Sequence, residues 1–211
     1  TPDLTTYYAV HQAMRTSNEW LVAGIARAEL GDRRRTAAIR RWFAGYAGEL
    51  RTHHHNEDGI LFPALLVRVP EFGFCDGDLA NDHLQLDAVI DGLDIALRLW
   101  DERPASEQAR TRALDVANDL HDLLAEHLDI EDADVLPMFE RHFSVEEYAR
   151  LDEQIMNDLD LRQALFTVPW FMTAIDHEVA ATILESAPTA MRALFRLTRG
   201  RYTRLSRRAF A

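Results

Sequence analysis

Two segments of the chain repeat one pattern: a histidine, a glutamate four residues later, an aspartate directly after it, and a proline ten residues after the histidine. The residues are His53, Glu57, Asp58 and Pro63 in the first segment, and His127, Glu131, Asp132 and Pro137 in the second. Residues i and i+4 share one face of an α-helix, so each segment points an imidazole and a carboxylate to the same side. Two such helices facing each other would supply the donors of a two-metal site.

The elements that must position these residues are helices, because helical periodicity dominates the chain and strand-like alternation is nearly absent. The pattern predicts four long helices that begin near Leu4, Asp32, Asp78 and Ser106. We expect the first to end at Gly31, Pro63 to bend or end the second, and residues 70–77, with the single cysteine Cys75, to form a loop. This arrangement predicts an all-α, up-down-up-down four-helix bundle over residues 1–142.

Each predicted helix carries a histidine on its inward-facing stripe. These histidines are His11, His53, His83 and His127, and two of the helices add Glu57 and Glu131 one turn later. A single inward histidine is more often a hydrogen-bonded core residue than a ligand. Four of them with two carboxylates are costly to bury unless a cation pairs them, so the combination favours a metal site.

The donor types narrow the choice of metal. Carboxylates and imidazoles without a thiolate fit iron or manganese, with zinc as a competitor. Ferritin-like di-iron proteins place glutamate and histidine three residues apart, and neither segment here has that spacing. Two bridging carboxylates with four or five imidazoles would leave a metal pair incompletely filled. Dioxygen, peroxide or nitric oxide would bind at the vacant positions.

Over roughly residues 5–140 the sequence resembles the hemerythrin-like, or HHE, domain proteins. The resemblance rests on His11, His53-x3-Glu57, His83 within Asn81-Asp82-His83-Leu84, His127-x3-Glu131, Leu-Phe-Pro at 61–63 and Leu-Pro at 136–137. It implies a four-helix bundle around two non-heme iron ions, bridged by an oxo or hydroxo group and by the two glutamates. Zinc or manganese is the less expected occupant, and no catalytic residue distinct from the ligands is expected.

The third helix departs from the oxygen carriers of that family. The third helix of those proteins carries a His-x3-His pattern. This chain instead has Leu79 four residues before His83 and Asp87 four residues after it. One imidazole is therefore missing, which puts reversible oxygen carriage in doubt. His54 can replace it, because His54 lies only about 100° round the helix from His53.

Further polar residues near the ligands are predicted to orient them or to hydrogen-bond a bound oxygen species. They are Tyr7, Tyr8, Tyr46, Asp82, Asp87 and Asp132. For the tyrosines the alternative role is packing. The aspartates are expected to orient imidazoles, as carboxylates commonly do around metal ligands.

Residues 143–211 are predicted to form an extension of short helices that packs on the bundle. A capping box from Ser144 to Glu147 begins it, and Thr173 with Asp176 predicts a further helix start. The last 20 residues hold seven arginines and no acid. This tail is either a solvated helix face that balances the acidic body or a docking patch for an acidic protein or anionic lipid.

Composition excludes several classes of protein. The net charge of −12 argues against nucleic acid as a partner, and no apolar run is long enough to span a membrane. The N-terminus shows no basic start followed by an apolar stretch, so no signal peptide is expected. A lone cysteine fits a reducing compartment, and we therefore expect a cytoplasmic protein.

These features lead to three functional hypotheses. The first is a di-iron protein that binds or turns over a small oxidant such as peroxide, O2 or NO, with catalase-like peroxide disproportionation as its enzymatic form. The second is an iron or oxygen sensor, or an iron-handling interaction module, without turnover. The third is a metal-free structural adaptor.

Overall fold

The computed structural model describes residues 1–157 and 160–211, and the regular structure in this part of the chain is entirely helical. The helices are α1 (Thr5–Ala26), α2 (Arg33–Asn56), α3 (Phe62–Arg68), α4 (Gly73–Glu102), α5 (Glu107–Ile130), α6 (Leu136–His142), α7 (Val145–Asn157), α8 (Leu161–Ala174), α9 (His177–Ser186) and α10 (Thr189–Phe210). The all-α prediction is thus confirmed. No helix among these residues combines the length and apolar character of a membrane span.

The four long helices α1, α2, α4 and α5 pack side by side as a bundle, each against two of the others. The link between α1 and α2 meets the link between α4 and α5 at one end, where the Gly31 N–H donates to the Pro104 carbonyl at 2.8 Å. At the other end, Tyr7 near the start of α1 reaches Glu57 just beyond the end of α2. Neighbouring helices are therefore antiparallel, as an up-down bundle requires.

Two apolar clusters fill the bundle, and a polar layer separates them along every helix. The large cluster includes Met14, Leu50, Leu86 and Leu124. The end cluster includes Leu4, Leu61, Leu79 and Val135. The candidate metal ligands lie between these positions on all four helices, so the two apolar clusters hold a polar layer from both sides.

Two short π-helical turns interrupt the bundle helices directly after the polar layer. They span Glu57–Leu61, between α2 and α3, and Glu131–Val135, between α5 and α6. Each precedes a proline, Pro63 or Pro137, near the start of the next helix. A proline cannot donate to the carbonyl four residues earlier and its ring would clash with it. A wider turn relieves both problems, and π turns of this kind are frequent at functional sites.

Two helix boundaries differ from the sequence prediction. Helix α1 ends at Ala26, five residues before Gly31, although Gly31 does adopt the left-handed φ of 89° expected of it. Helix α4 begins at Gly73 rather than at Asp78, so the backbone at Cys75 is helical and not a loop. Packing outweighs the cost of about 1 kcal/mol for each helical glycine, since Phe72 and Leu79 on either side are buried.

Side-chain caps start three of the C-terminal helices. Ser144 and Glu147 form the predicted capping box before α7, with Ser144 N donating to Glu147 Oε2 at 2.9 Å and Glu147 N to Ser144 Oγ at 3.2 Å. Asp160 caps α8, and Asp176 caps α9 by accepting from the N–H groups of Glu178 and Val179. The cap expected at Thr173 was wrong, because this residue lies inside α8 and its hydroxyl donates to the Pro169 carbonyl.

Helices α8 and α10 pack against α1 and α2 and share the large cluster. Trp170 donates to Ser17 Oγ at 2.7 Å, and Trp42 donates to the Tyr202 hydroxyl at 3.1 Å. With 22 residues, α10 is as long as α1, not one of the short helices expected from the sequence.

Contact between α8 and α2 requires a glycine at position 45. A Cβ there would overlap the ring of Phe166, a side chain with little freedom to move. We expect Gly45→Ala to lower the free energy of unfolding by about 1–3 kcal/mol, the usual cost of overpacking. Gly77→Ala is the matched control, because Gly77 is helical and has open space around it. A denaturant titration of both variants gives the comparison, and equal stability of the two would contradict the tight contact.

Candidate metal centre

The polar layer brings together seven buried side chains from four bundle helices and the two π turns. They are His11, His53, His54, Glu57, His83, His127 and Glu131, each between 0% and 8% exposed. All seven were named as candidate ligands from the sequence. Their donor atoms form overlapping groups whose members lie within 4.8 Å of one another.

One group contains two imidazoles and both glutamates. His53 Nε2 lies 2.9 Å from Glu57 Oε1, and His11 Nε2 lies 3.4 Å from Glu131 Oε2. The His11 and His53 rings meet edge to face, with centroids 5.1 Å apart. We call this the two-histidine side.

Two further groups share His83 and His127; one of them adds His54, and the other adds both glutamates. The His54 ring stacks on the His83 ring at 4.4 Å, and the His127 ring lies 4.8 Å from that of His83. His83 Nε2 is 3.5 Å from Glu57 Oε2, and His127 Nε2 is 3.3 Å from Glu131 Oε1. This is the three-histidine side, and the glutamates face both sides.

The donor atoms of this layer fit a metal, because most lack another partner. Buried atoms without a hydrogen bond include His11 Nε2, His53 Nε2, both ring nitrogens of His54, His83 Nε2, both ring nitrogens of His127, Glu57 Oε2 and both oxygens of Glu131. An unsatisfied buried polar group costs about 1–3 kcal/mol. So many at one place indicate a site built around cations, which such atoms would ligate.

Four aspartates surround the imidazoles. His11 Nδ1 lies 2.6 Å from Asp132 Oδ1, and His83 Nδ1 lies 2.9 Å from Asp58 Oδ1. Asp82 and Asp87 lie 4.0 Å from the Nδ1 atoms of His127 and His54. A carboxylate that accepts from Nδ1 fixes the tautomer and leaves Nε2 free for a metal. The first two aspartates are therefore placed to orient His11 and His83.

Sequence reasoning missed Asp58 as a partner of His83. A signal was available, because Asp58 and Asp132 occupy the same place in the repeated segments, directly after the shared glutamate. Each of them contacts an imidazole from a different helix. Asp132 is in turn held by Arg15, whose Nη2 lies 2.9 Å from it.

The three tyrosines named from the sequence lie in different surroundings. Tyr7 donates a hydrogen bond to Glu57 Oε1, and its ring faces His11 and His53. Tyr8 points to the surface with 37% of its area exposed. Tyr46 donates to the Met14 carbonyl at 3.0 Å inside the large cluster. Helical spacing alone did not distinguish these directions, and the structure places only Tyr7 at the centre.

The two glutamates differ in charge state when no metal is bound. Burial, with the charge of Glu57 nearby, raises the pKa of Glu131 well above its usual value. Burial acts on Glu57 in the same sense, but the positive charge of His53 above all outweighs it and lowers the pKa of that carboxyl. Glu131 therefore tends to keep a proton that a metal must displace, and this couples metal binding to proton release.

His54 is held as a neutral imidazole, the form that binds metals. Burial, and then the positive charge of neighbouring His53, lower its pKa to about 2. His55, the next residue, is exposed. His54 thus lies inside the polar layer, whereas His55 faces solvent.

Comparison with known proteins agrees with this arrangement of fold and site. The model of the hemerythrin HHE cation binding domain matches residues 4–139. The chain therefore belongs to the hemerythrin HHE cation-binding family.

A zinc finger protein BRUTUS-like from Arabidopsis thaliana is 23% identical to this chain over 192 residues. The matched region covers 82% of this chain but only 15% of the plant protein. No solved structure matches the chain significantly.

Proposed function

We propose that this chain holds two iron ions in the polar layer and binds or turns over a small oxidant there, namely peroxide, O2 or NO. The observation that carries the proposal is the unequal donor set. The two-histidine side offers two imidazoles and the three-histidine side offers three, while Glu57 and Glu131 face both. An ion held on the two-histidine side would therefore have one protein ligand fewer, which would leave room for a small molecule.

Iron supplies Lewis acidity and one-electron redox chemistry at such a vacant position. Donors limited to imidazole and carboxylate suit iron, while manganese and zinc are the competitors. Among the site residues described, no thiolate contributes.

The protein's own groups support this chemistry on the two-histidine side. Tyr7 places its hydroxyl beside Glu57, where burial and the charge of Glu57 raise the pKa of its phenol and keep it protonated. Asp132 holds His11 in place. The two apolar clusters on either side limit the entry of water. A small neutral oxidant is the kind of ligand that such an enclosed site admits.

The test is to load the purified protein with iron and to add peroxide or NO. We expect about two irons per chain and a change in visible absorption on addition of the oxidant. Oxygen release continuing beyond one equivalent of peroxide would identify turnover rather than binding. Zinc-loaded protein is the control, since zinc has no redox chemistry. An iron-loaded protein whose spectrum and peroxide concentration stay unchanged would contradict the proposal.

His54 provides a sharp test of the three-histidine side. We expect His54→Ala to lose about one metal per chain, since it removes one of three imidazoles from that side. His55→Ala, one residue away and exposed, should keep both metals. Elemental analysis of the two variants gives the ratio, and equal metal content would remove His54 from the ligand set.

A second candidate function is an iron-dependent interaction module, and an arginine-lined cleft favours it. The cleft, of about 890 Å³, lies between α2, α4 and α10. Its lining holds more arginines than acids: Arg34, Arg35, Arg40, Arg41 and Arg208 against Asp32, Asp94 and Asp101. Arg40 pairs with Asp101 at 2.9 Å, and among the described residues no ion pair joins the other four arginines to an acid. Arginines suit carboxylate recognition, so the proposed partner is an acidic protein segment.

A labelled peptide rich in Asp and Glu provides the test of this cleft. We expect binding that weakens with salt and falls several-fold in Arg41→Gln and Arg208→Gln, but not in Arg112→Gln, an exposed arginine on α5. Absence of binding to the iron-loaded protein, or an equal loss in all three variants, would overturn this second candidate.

A further inference from the structure

Glu49 is a buried carboxylate that lies outside the ligand set but on the same face of α2 as His53. It is 9% exposed. Glu49, His53 and Glu57 follow each other at intervals of four residues, so they line one face of the helix from the large cluster into the polar layer. One turn therefore separates Glu49 from a residue of the two-histidine side.

Helix α8 holds this carboxylate. The Thr167 hydroxyl donates to Glu49 Oε2, and Gln163 Nε2 lies 3.5 Å from the same oxygen. Gln163 also donates to the Gly45 carbonyl at 2.9 Å. Both side chains belong to residues beyond 4–139, the range of the family match. The C-terminal extension thus reaches Glu49, which is adjacent to the polar layer.

The approach of α8 depends on two helical positions that carry no side chain. A Cβ at Gly45 would overlap Phe166, and one at Gly48 would come within 2.5 Å of Gln163 Oε1. Glycine in a helix costs about 1 kcal/mol relative to alanine. The two glycines accept that cost and allow Gln163 and Thr167 to meet Glu49.

His53 differs from the other imidazoles in its outer partner. Each of His11, His54, His83 and His127 has an aspartate within 4.0 Å of its Nδ1 atom. Among the described residues, the acidic partner of His53 is Glu57 of the polar layer. Glu49 lies one helical turn before His53 on the same face of α2. Burial raises the pKa of its carboxyl, and the hydrogen bonds from Thr167 and Gln163 act against that rise. Glu49 is thus a buried carboxylate one helical turn from His53, in a fixed place set by α8.

We propose that Glu49, held by Thr167 and Gln163 of α8, is a positioning residue that sets the metal affinity and redox potential of the two-histidine side through His53. This inference rests on the proposed function, because it requires a metal in the polar layer. Carboxylates that orient ligating imidazoles are worth about 10–100-fold in metal affinity, and a buried negative charge one turn from His53 is expected to favour a bound cation in the same direction. The extension is in this way part of the metal site.

Three variants separate this role from simple packing. In a competition with a chelator, we expect Glu49→Gln to lower the affinity for one of the two metals about tenfold. Thr167→Val should lower the affinity for the same metal by a smaller factor. Thr173→Val is the matched control, since its hydroxyl bonds only within α8. Glu49→Asp, which keeps the charge, should recover part of the loss. The other metal should be held equally in all of them.

The midpoint potential of the iron-loaded protein at pH 8 supplies a second measurement. A negative charge stabilises the ferric ion more than the ferrous ion, so Glu49→Gln is expected to raise the potential. A tenfold change in their relative affinities corresponds to 59 mV. A purely structural role would lower the melting temperature without moving the potential.

The outcomes distinguish this inference from the proposed function. If the wild-type protein holds no metal, both fail. If the wild-type protein holds two metals but Glu49→Gln matches it in affinity and potential, the inference about Glu49 is overturned while the proposed function stands.

Discussion

Removal of the metals is expected to lower the melting temperature of this protein by about 15–30 °C. Each ion that binds only the folded chain, at a free concentration about 1,000 times its dissociation constant, contributes about 4 kcal/mol. Two ions would contribute about 8 kcal/mol, and each kcal/mol shifts the melting temperature of a chain of this size by about 2–4 °C. The size of the effect follows from the many buried donor atoms that have no other partner.

The measurement is a thermal melt of iron-loaded and chelated protein at equal concentration. Readdition of metal should restore the higher transition. The control is the same chelator added to the Glu57→Gln, Glu131→Gln double variant, in which no shift is expected. A shift of less than a few degrees in the wild-type protein would mean that the polar layer is stable by itself and is not built around a metal.

The position of the layer is the reason why metal loss is expected to act on the whole bundle. Leu4 and Leu79 lie on one side of it, and Met14 and Leu86 lie on the other. Without a cation, the polar layer separates the two apolar clusters by buried atoms that lack partners, such as Glu57 Oε2 and both carboxyl oxygens of Glu131. With a cation, the same groups link all four helices.

Much of this arrangement follows from the spacing of residues in the sequence. His53 and Glu57, like His127 and Glu131, share one face of a helix, so a helical prediction alone places them together. The family resemblance is confirmed by the match over residues 4–139. The helix starts at Asp32 and Ser106 also follow from local chemistry, since both side chains accept from free N–H groups of the first turn.

Other features depend on contacts between distant residues. The tyrosines at 7, 8 and 46 have similar sequence surroundings, and only tertiary packing turns Tyr7 towards Glu57 and Tyr46 towards Met14. The early start of α4 at Gly73 is decided by the burial of Phe72 and Leu79 against glycine's poor helix propensity.

The π turns and the contact between α8 and Glu49 are also beyond local prediction. A proline indicates that a helix must change, but not that it widens into a π turn and continues. The bonds from Gln163 and Thr167 to Glu49 join residues more than 100 positions apart. No periodic pattern carries that information.

Glu57→Gln and Glu131→Gln are each expected to reduce the metal content to less than one ion per chain. Each carboxylate faces donors of both sides: Glu57 contacts His53 and His83, and Glu131 contacts His11 and His127. An amide cannot bridge two cations as a carboxylate does and leaves one negative charge fewer against two ions. One substitution is therefore expected to weaken the binding of both ions, whereas His54→Ala is expected to weaken the binding of only one.

The same substitutions have the opposite effect on the metal-free chain. An amide is neutral, so it removes the cost of burying a second carboxyl next to the first. We expect each variant without metal to be as stable as the metal-free wild-type protein or slightly more stable. Glu126→Gln, on the exposed face of α5 beside His127, is the matched control and should keep both metals. Elemental analysis combined with thermal melts separates loss of ligation from misfolding. Full metal content in the Glu57 and Glu131 variants would show that the carboxylates are not shared ligands.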